Sequence, residues 1–290
     1  MHAVDISSND AASVTMSKAD FSRMSEFIYS ECGIKMSVSK KVMLESRLRK
    51  RLRALGLTSY GEYCSYLFSS AGMEHEIIHM IDMVTTNKTD FFREPAHFDY
   101  LTKHALPELL NSYESGLRKA VLIWSAGCST GEEPYTLSMV VNDFSESISG
   151  YRYNILATDI STRVLNAAKS GTYLAERVEP VPAVMKRKYL LRSKDRSKGL
   201  VRVVPELRKR VEFRRLNFMD SDFGMRDPAD IIFCRNVIIY FDRRTQESLI
   251  SRFCRYLRPG GYLFMGHSET LFGMDVPLVQ VAPTIYRKRR

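Results

Sequence analysis

From about Lys119 onward the chain alternates short apolar runs with helical segments. The runs are "AVLIW", "YNILAT", "ADIIFC" and "GYLFMG". Each of the first three leads into a polar or small-residue turn and then a helical pattern. This rhythm constrains the fold severely. Parallel strands cannot be joined by hairpins, so each crossover carries a helix that covers a face of the sheet. The reading is an α/β domain with a parallel sheet covered on both sides. Between Leu190 and Asn217 the rhythm breaks, and "GLVRVVPELRKRVEFRRLN" reads as a short antiparallel hairpin inserted in the α/β unit.

The first ~85 residues read instead as helices packed on one another. "SKADFSRMSEFIYSECGI" carries Phe21, Met24, Phe27 and Ile28 at helical spacing. In "SKKVMLESRLRKRLRALGL", Ser39 is a candidate N-cap, Leu44, Leu48, Leu52 and Leu55 form one stripe, and Gly56 is a stop. Around that stripe lie Lys40, Lys41, Arg47, Arg49, Lys50, Arg51 and Arg53, opposed only by Glu45. "SYGEYCSYLFS" and "MEHEIIHMIDMVT" supply a third and a fourth helix. The division expected is a disordered tail over 1–15, a helical domain over 16–84, a linker over 85–100 and the α/β domain over 101–290. The inserted β-subdomain falls at about 190–214.

Lys and Arg outnumber Asp and Glu by 43 to 33, a net charge of +10, which favours an acidic partner without choosing one. No apolar run approaches twenty residues, so no membrane span or direct membrane insertion is expected. The first residues, "MHAVDISSND", have neither a basic start nor an apolar core of a secretion signal. Five scattered cysteines with no C-x-x-C suit a reduced, cytoplasmic protein.

"HEIIH", His75 to His79, has the spacing of a zinc-protease helix. Projected at about 100° per residue, however, Ile77, Met80, Ile81 and Val84 share one face, and His75, His79 and Asp82 lie opposite. The pair thus belongs to a wet helix face with no third ligand in view. No metal is expected.

The most informative stretch is "VLIWSAGCSTGEEPYTLSMVV". A buried strand runs into small residues from Ser125 to Gly131 and then directly into a helix. Small residues let a ligand approach the backbone at the carboxyl edge of the sheet. The loop lacks G-K-[ST] and G-x-G-x-x-G, and Glu132 and Glu133 would repel a pyrophosphate. They suit a cofactor with hydroxyls and positive charge, such as S-adenosylmethionine. Asp159 ends the second strand, where an acid commonly accepts the ribose hydroxyls of NAD or of a methyl donor alike. The following helix could also use it as an N-cap. Cys128, with no histidine partner, reads as a small loop residue.

"TTNKTDFFREPAHF", "WSAGCSTGEEPYT", "ATDIS", "GLVRV", "VEF", "FCRNVIIYFD" and "FMGHSE" together resemble the bacterial chemotaxis receptor methyltransferase family, CheR, from about Phe21 to Tyr286. The chief departure is in "SAGCSTGEEP", where the two middle positions are often alanine in the family, a change conservative in size; "HEIIH" has no counterpart in the family. The resemblance implies an all-helical N-terminal domain before a Rossmann-like S-adenosylmethionine-dependent methyltransferase domain with a small inserted antiparallel β-subdomain. It implies methylation of chemoreceptor glutamates to 5-O-methyl esters, with S-adenosylhomocysteine as product. Cofactor contacts are implied at Asn87, Thr89, Arg93, Glu133, Asp159, Asn217, Phe218, Arg235 and Asn236. Arg93 and Tyr240 fall beside the transferring methyl.

The partners implied are the cytoplasmic domains of membrane chemoreceptors, which in some relatives add a C-terminal peptide to the β-subdomain as an edge strand. Receptor methylation segments are helices lined with Glu and Gln, so Arg47, Arg49, Lys50 and Arg53 are the candidates for recognising them. No nucleic-acid partner is expected, because "CRNVIIYF" lacks the proline of a flipped-base pocket. The expected state is a monomer. Methyl transfer to a carboxylate with a pKa of about 4.3 needs no general base, so the missing Ser/His or Cys/His pair fits the chemistry.

Overall fold

A computed structural model describes residues 15–112, 120–146 and 148–289. The tail expected over 1–15 lies, but for Thr15, outside them. The described residues form two compact units. The first runs up to Glu31 and over Lys35–Val84; the second holds Cys32–Ile34 and the chain from Thr85 onward.

The first unit is helical: α1 (Lys18–Cys32, its last residue grouped with the second unit), α2 (Lys41–Leu55), α3 (Tyr60–Leu67), α4 (Ser70–His75) and α5 (Ile77–Val84). Leu44, Leu48 and Leu52 of α2 are buried, and Gly56 ends the helix in the left-handed region at φ 67. Ser39 does not cap α2. It lies in a 3₁₀ turn over Val38–Lys40, and the cap position falls to Lys40, which makes no side-chain cap bond.

The single helix expected through "HEIIH" is broken at Glu76 between α4 and α5. Glu76 is buried and takes a two-pronged ion pair from Arg51, at 2.7 and 2.6 Å, and the Tyr63 hydroxyl at 3.0 Å. Asp82, expected on the wet face, is also buried, whereas His75 and His79 are exposed. A polar face read from a 3.6-residue period faces water only where no neighbouring helix brings it a partner.

The second unit begins with α6 (Ala96–Tyr100), a π-helical turn over Leu101–Ala105 and α7 (Leu106–Ser112). Its main sheet then accumulates from β1 (Val121–Ala126), followed by α8 (Glu132–Glu146), and β2 (Tyr153–Asp159), followed by α9 (Thr162–Ser170). A small sheet comprises β3 (Thr172–Leu174), β4 (Leu190–Arg192) after α10 (Ala183–Tyr189), and β5 (Leu200–Val203). After α11 (Pro205–Arg208) the main sheet resumes with β6 (Val211–Arg215) and β7 (Ala229–Cys234). It continues through α12 (Arg243–Tyr256) to β8 (Leu257–Met265), β9 (Leu278–Ala282) and β10 (Ile285–Lys288).

Strand order in the main sheet is β6-β2-β1-β7-β8-β10-β9, with parallel pairing from β6 to β8 and antiparallel pairing of β10 with both β8 and β9. The four apolar runs are its central strands, and one hydrophobic cluster covers each face. The insert differs from the hairpin read between Leu190 and Asn217. The small sheet has order β3-β5-β4 and takes its first strand from Thr172–Leu174, directly after the Gly171 cap of α9. "VEF" instead opens β6, which pairs in parallel with β2. Each difference has its cause: a three-residue strand carries too little periodicity to register, and "VEFRR", with its exposed Glu212 and Arg215, suits a sheet edge of either kind.

Candidate functional site

Chain direction across the sheet reverses between β1 and β7, which are neighbours although distant in sequence. Crossovers leave a crevice at such a point, beyond the carboxyl ends of the strands. A cavity of about 890 Å³, counted out into its open mouth, lies there. It is walled by the segments that follow β1 (Gly127, Ser129), β2 (Asp159, Ile160), β6 (Leu216 to Phe218) and β7 (Arg235 to Val237), by Thr85–Thr89 with Arg93, and by Tyr240. All ten residues named above for cofactor and methyl-transfer roles line this one cavity.

Each is held by identifiable contacts. The loop after β1 turns at Gly127, φ 88, where an added Cβ would stand 2.6 Å from Val237 Cγ2. Only glycine lets the two loops meet there. Ser129, at φ 48, donates its backbone N–H to Asp159 Oδ2 at 2.9 Å and its hydroxyl to the Asn87 carbonyl at 2.9 Å. Asp159 Oδ1 accepts from Ser161 N at 3.0 Å, but the side-chain cap of α9 is Ser161, not Asp159.

The two glutamates that open α8 part company. Glu133 lines the cavity, accepting from Ser125 Oγ at 2.6 Å and from Arg235 Nε at 2.7 Å. Glu132 is buried away from it and pairs with Arg177 at 2.7 Å. Adjacent helical residues point about 100° apart, so only one of the pair can offer its charge to a ligand. Cys128 is buried and its thiol is pushed well up by burial and by Asp159 and Glu133, leaving it unreactive.

Arg235 is the hub behind the site. Besides Glu133 it donates to the Arg93 carbonyl and, at 3.3 Å, to His97 Nδ1; Glu94 Oε2 lies 3.5 Å away. The Thr284 hydroxyl donates to the Pro283 carbonyl and so accepts from His97 Nε2–H at 2.9 Å, leaving Nδ1 bare for Arg235. Burial, with Arg235 adding to it, depresses the His97 pKa to about 4. Among the described residues Glu94, His97 and His267 are the one trio with metal-ligand proximity. The cation between the first two is Arg235.

Phe92 at φ 53 and Glu94 at φ 57 flank Arg93 in the left-handed region. This places backbone strain where a side chain is being aimed. Arg93 is half-buried, and its guanidinium makes one hydrogen bond, to the Lys88 carbonyl at 3.3 Å. Its other N–H groups make no hydrogen bond among the described residues.

Two features go beyond what the sequence implies. Asn236 Oδ1 is buried with no hydrogen-bond partner among the described residues, and its residue lines the cavity. Glu269, 4 % exposed, gathers the backbone N–H groups of Asn236, Val237, Ile238 and Gly266 at 2.8, 2.8, 2.8 and 2.7 Å. Burial raises its carboxyl pKa, with those four donors pulling the other way. The signal lay in "HSE", quoted above only as a resemblance.

A crevice at the reversal point of a mostly parallel sheet, with an acid ending β2 and small residues after β1, defines the Rossmann-like nucleoside-cofactor class. An acceptor-bearing polar wall, the Asp159 carboxylate ending β2 and apolar Ile160, Leu216 and Phe218 fit S-adenosylmethionine. Residues 87–286 match the profile of the CheR methyltransferase SAM-binding domain, and residues 19–85 that of the CheR methyltransferase all-alpha domain. The chain is 40 % identical over 276 residues to a chemotaxis protein methyltransferase of Borreliella burgdorferi, covering 95 % of this chain and 96 % of that one. It is 39 % identical over 275 residues to the chemotaxis protein methyltransferase of Escherichia coli, covering 94 % and 92 %. Among solved structures, the glycopeptide N-methyltransferase MtfA complexed with S-adenosyl-L-homocysteine aligns with a TM-score of 0.33 and 13 % identity over 65 % of this chain and 59 % of that chain, a likeness on which nothing rests.

The chain belongs to the CheR methyltransferase family, and S-adenosylmethionine is its methyl donor.

Proposed function

We infer that this cavity is where a chemoreceptor glutamate meets S-adenosylmethionine. The protein methylates specific glutamate side chains of methyl-accepting chemotaxis receptors, giving glutamyl 5-O-methyl esters and S-adenosylhomocysteine, for sensory adaptation. The observation that supports the site is the convergence of Asn87, Thr89, Arg93, Glu133, Asp159, Asn217, Phe218, Arg235, Asn236 and Tyr240 on one crevice. Asp159 takes the ribose hydroxyls, and Asn236 Oδ1 takes an N–H of the cofactor. Arg235 acts from behind, holding Glu133 and the Arg93 turn.

Transfer is an in-line displacement at the sulfonium methyl. The acceptor carboxylate arrives ionised, one of its oxygens forms the new O–CH₃ bond as the S–CH₃ bond breaks, and the electron pair stays on sulfur. The enzyme's task is orientation and exclusion of water, which can contribute on the order of 7–11 kcal/mol at best. Arg93 pairs with a carboxylate, of cofactor or acceptor, and the Tyr240 hydroxyl orients the acceptor oxygen. Replacing Tyr240 with Phe is expected to lower kcat about tenfold, the worth of one orienting hydrogen bond, while Kd for S-adenosylhomocysteine stays within twofold. A large loss of cofactor affinity would sink this assignment.

Recognition of the receptor begins on α2. Arg49, Lys50 and Arg53 are exposed, opposite the buried leucines, and suit a helix rich in glutamate. Arg47 is half-buried and donates to the Val84 carbonyl, and Arg51 is taken by Glu76, so both are less available than the sequence implies. Reversing Arg49 and Arg53 to Glu is expected to slow methylation of receptor fragments about tenfold at low salt and to flatten its salt dependence. Unchanged rates would remove the helix from recognition.

The small sheet offers β4 as a free edge beside Lys186, Arg187, Arg192, Lys194 and Arg196, which suits an acidic receptor tail added as a strand. The protein acts as a monomer on the cytoplasmic side; no helix among the described residues is long and apolar enough to cross a membrane. Equilibrium sedimentation checks the first point, and titration with a receptor tail peptide checks the docking. The reaction itself is tested with methyl-labelled S-adenosylmethionine and receptor signalling fragments. Base-labile label on glutamate is the expected result; base-stable label, or label on RNA, would overturn it.

A further inference from the structure

Two of the exposed large apolar side chains of the second unit belong to the segments hydrogen-bonded around the turn that carries Tyr240. Phe272 is 87 % exposed and Ile239 is 45 % exposed. Single exposed apolar residues are ordinary on a protein surface. These two are set apart by where they stand and by how firmly they are held.

Ile239 directly precedes Tyr240 in the 3₁₀ turn over Ile238–Tyr240. Gln246 of α12 clamps that turn through its Nε2, which donates to the carbonyls of Ile238 at 2.9 Å and Phe241 at 3.1 Å. Glu269 holds the start of the same turn by its hydrogen bonds to Val237 N and Ile238 N. Three residues beyond Glu269 comes Phe272. Its carbonyl accepts from Arg243 Nη2 in the first turn of α12, and its N–H donates to Thr270 Oγ1 at 3.1 Å. Leu271, between them, is buried. The loop that carries Phe272 and the turn that carries Ile239 and Tyr240 are therefore fastened to the same carboxylate and to the same end of the same helix. Next to Arg243 in the chain, Arg244 is exposed, while Arg243 is paired with Glu247 at 3.0 Å.

Hydrogen bonds on both segments hold the backbone that presents these side chains, so both stay at the surface where a partner can cover them. The acceptor glutamate must arrive beside Tyr240, and the chain that carries it must pass over the residues next to Tyr240. The geometry points to Phe272 and Ile239 as specificity-determining residues that grip the receptor helix through apolar side chains neighbouring its acceptor glutamate, with Arg244 meeting an acidic residue of that helix. This inference rests on the reading of the cavity as the methyl-transfer site. It adds that recognition at the site is apolar as well as ionic, so that glutamates with no apolar neighbour are poor acceptors.

The test is steady-state methylation of a purified receptor signalling fragment by the full-length protein and by the variant Ile239→Ala/Phe272→Ala. Loss of two apolar anchors is expected to raise KM for the fragment about tenfold or more. The kcat at saturating fragment and Kd for S-adenosylhomocysteine should stay within twofold, and Phe272→Tyr should restore most of the loss. A KM within twofold of the parent protein overturns the inference. So does a fall in kcat or in cofactor affinity at unchanged KM, which would make these side chains part of the catalytic frame instead. Should the parent protein itself place no label on the fragment, it is the reading of the cavity that fails, and the two failures stay distinct.

Discussion

Replacing Asp159 with alanine is expected to weaken S-adenosylhomocysteine binding about a hundredfold, or roughly 3 kcal/mol. The carboxylate stands at the end of β2 in the wall of the cavity and is 8 % exposed. A ribose presents two adjacent hydroxyl donors, and hydrogen bonds to a charged acceptor contribute about 1.5–3 kcal/mol each. The lower end of that range, taken twice, gives the figure. Part of the loss is indirect, because Ser129 N and Ser161 N also donate to Asp159 and would be left without it.

The two contributions separate with a ligand lacking the 2′-hydroxyl. The parent protein should bind that analogue more weakly than S-adenosylhomocysteine, and Asp159→Ala should no longer distinguish the two. Isothermal titration with both ligands makes the measurement, and a melting temperature for the variant shows how far the loop has loosened. Affinity within threefold of the parent would remove Asp159 from the ribose.

How much of this was legible in the sequence depended on what each residue answers to. The central strands are buried on both faces and therefore read as unbroken apolar runs. "LVQVA" and "IYRK", which became β9 and β10, lie toward the far edge of the sheet, and β9 is largely exposed. They offer no such run, and the sequence does not mark them as strands. The loop from Ser125 to Gly131 and the acid at 159 were legible because a binding crevice in this fold is built from chain segments at fixed places after strands.

Glu132 and Glu133 look like a pair because they are adjacent in the chain, yet the helix sends one to Arg177 and the other to Arg235. Glu76 looked like part of a wet motif because nothing local announces the Arg51 guanidinium that buries it. Partners from distant segments leave no periodic trace, and these are the contacts that decide the state of a charged side chain.

Glu269 is the sharpest case of such a partner, and removing it should have the largest effect on stability of any change near the site. Its two oxygens accept four backbone N–H groups, three of them from the 31–33 residues upstream and one from its own turn. Glu269→Ala leaves these donors unpaired in a place too crowded for easy hydration. An added Cβ at Gly266 would come within 2.6 Å of Asn236 Nδ2, so the two segments already touch.

At about 1–3 kcal/mol for each buried donor left unsatisfied, and with partial relaxation, the expected loss is about 4 kcal/mol, beyond the ordinary range for one substitution. Glu269→Gln keeps the shape but turns an NH₂ toward two N–H donors, and about 2 kcal/mol is expected. In that milder variant the fold survives while the turn carrying Asn236 and Tyr240 loses its anchor. Turnover should therefore fall further than stability alone explains. Urea unfolding with kcat measured on the same samples decides the matter. Glu269→Ala within 1 kcal/mol of the parent protein would show that the β7 loop holds itself. Full activity in a folded Glu269→Gln would show that Asn236 and Tyr240 are placed by something other than this carboxylate.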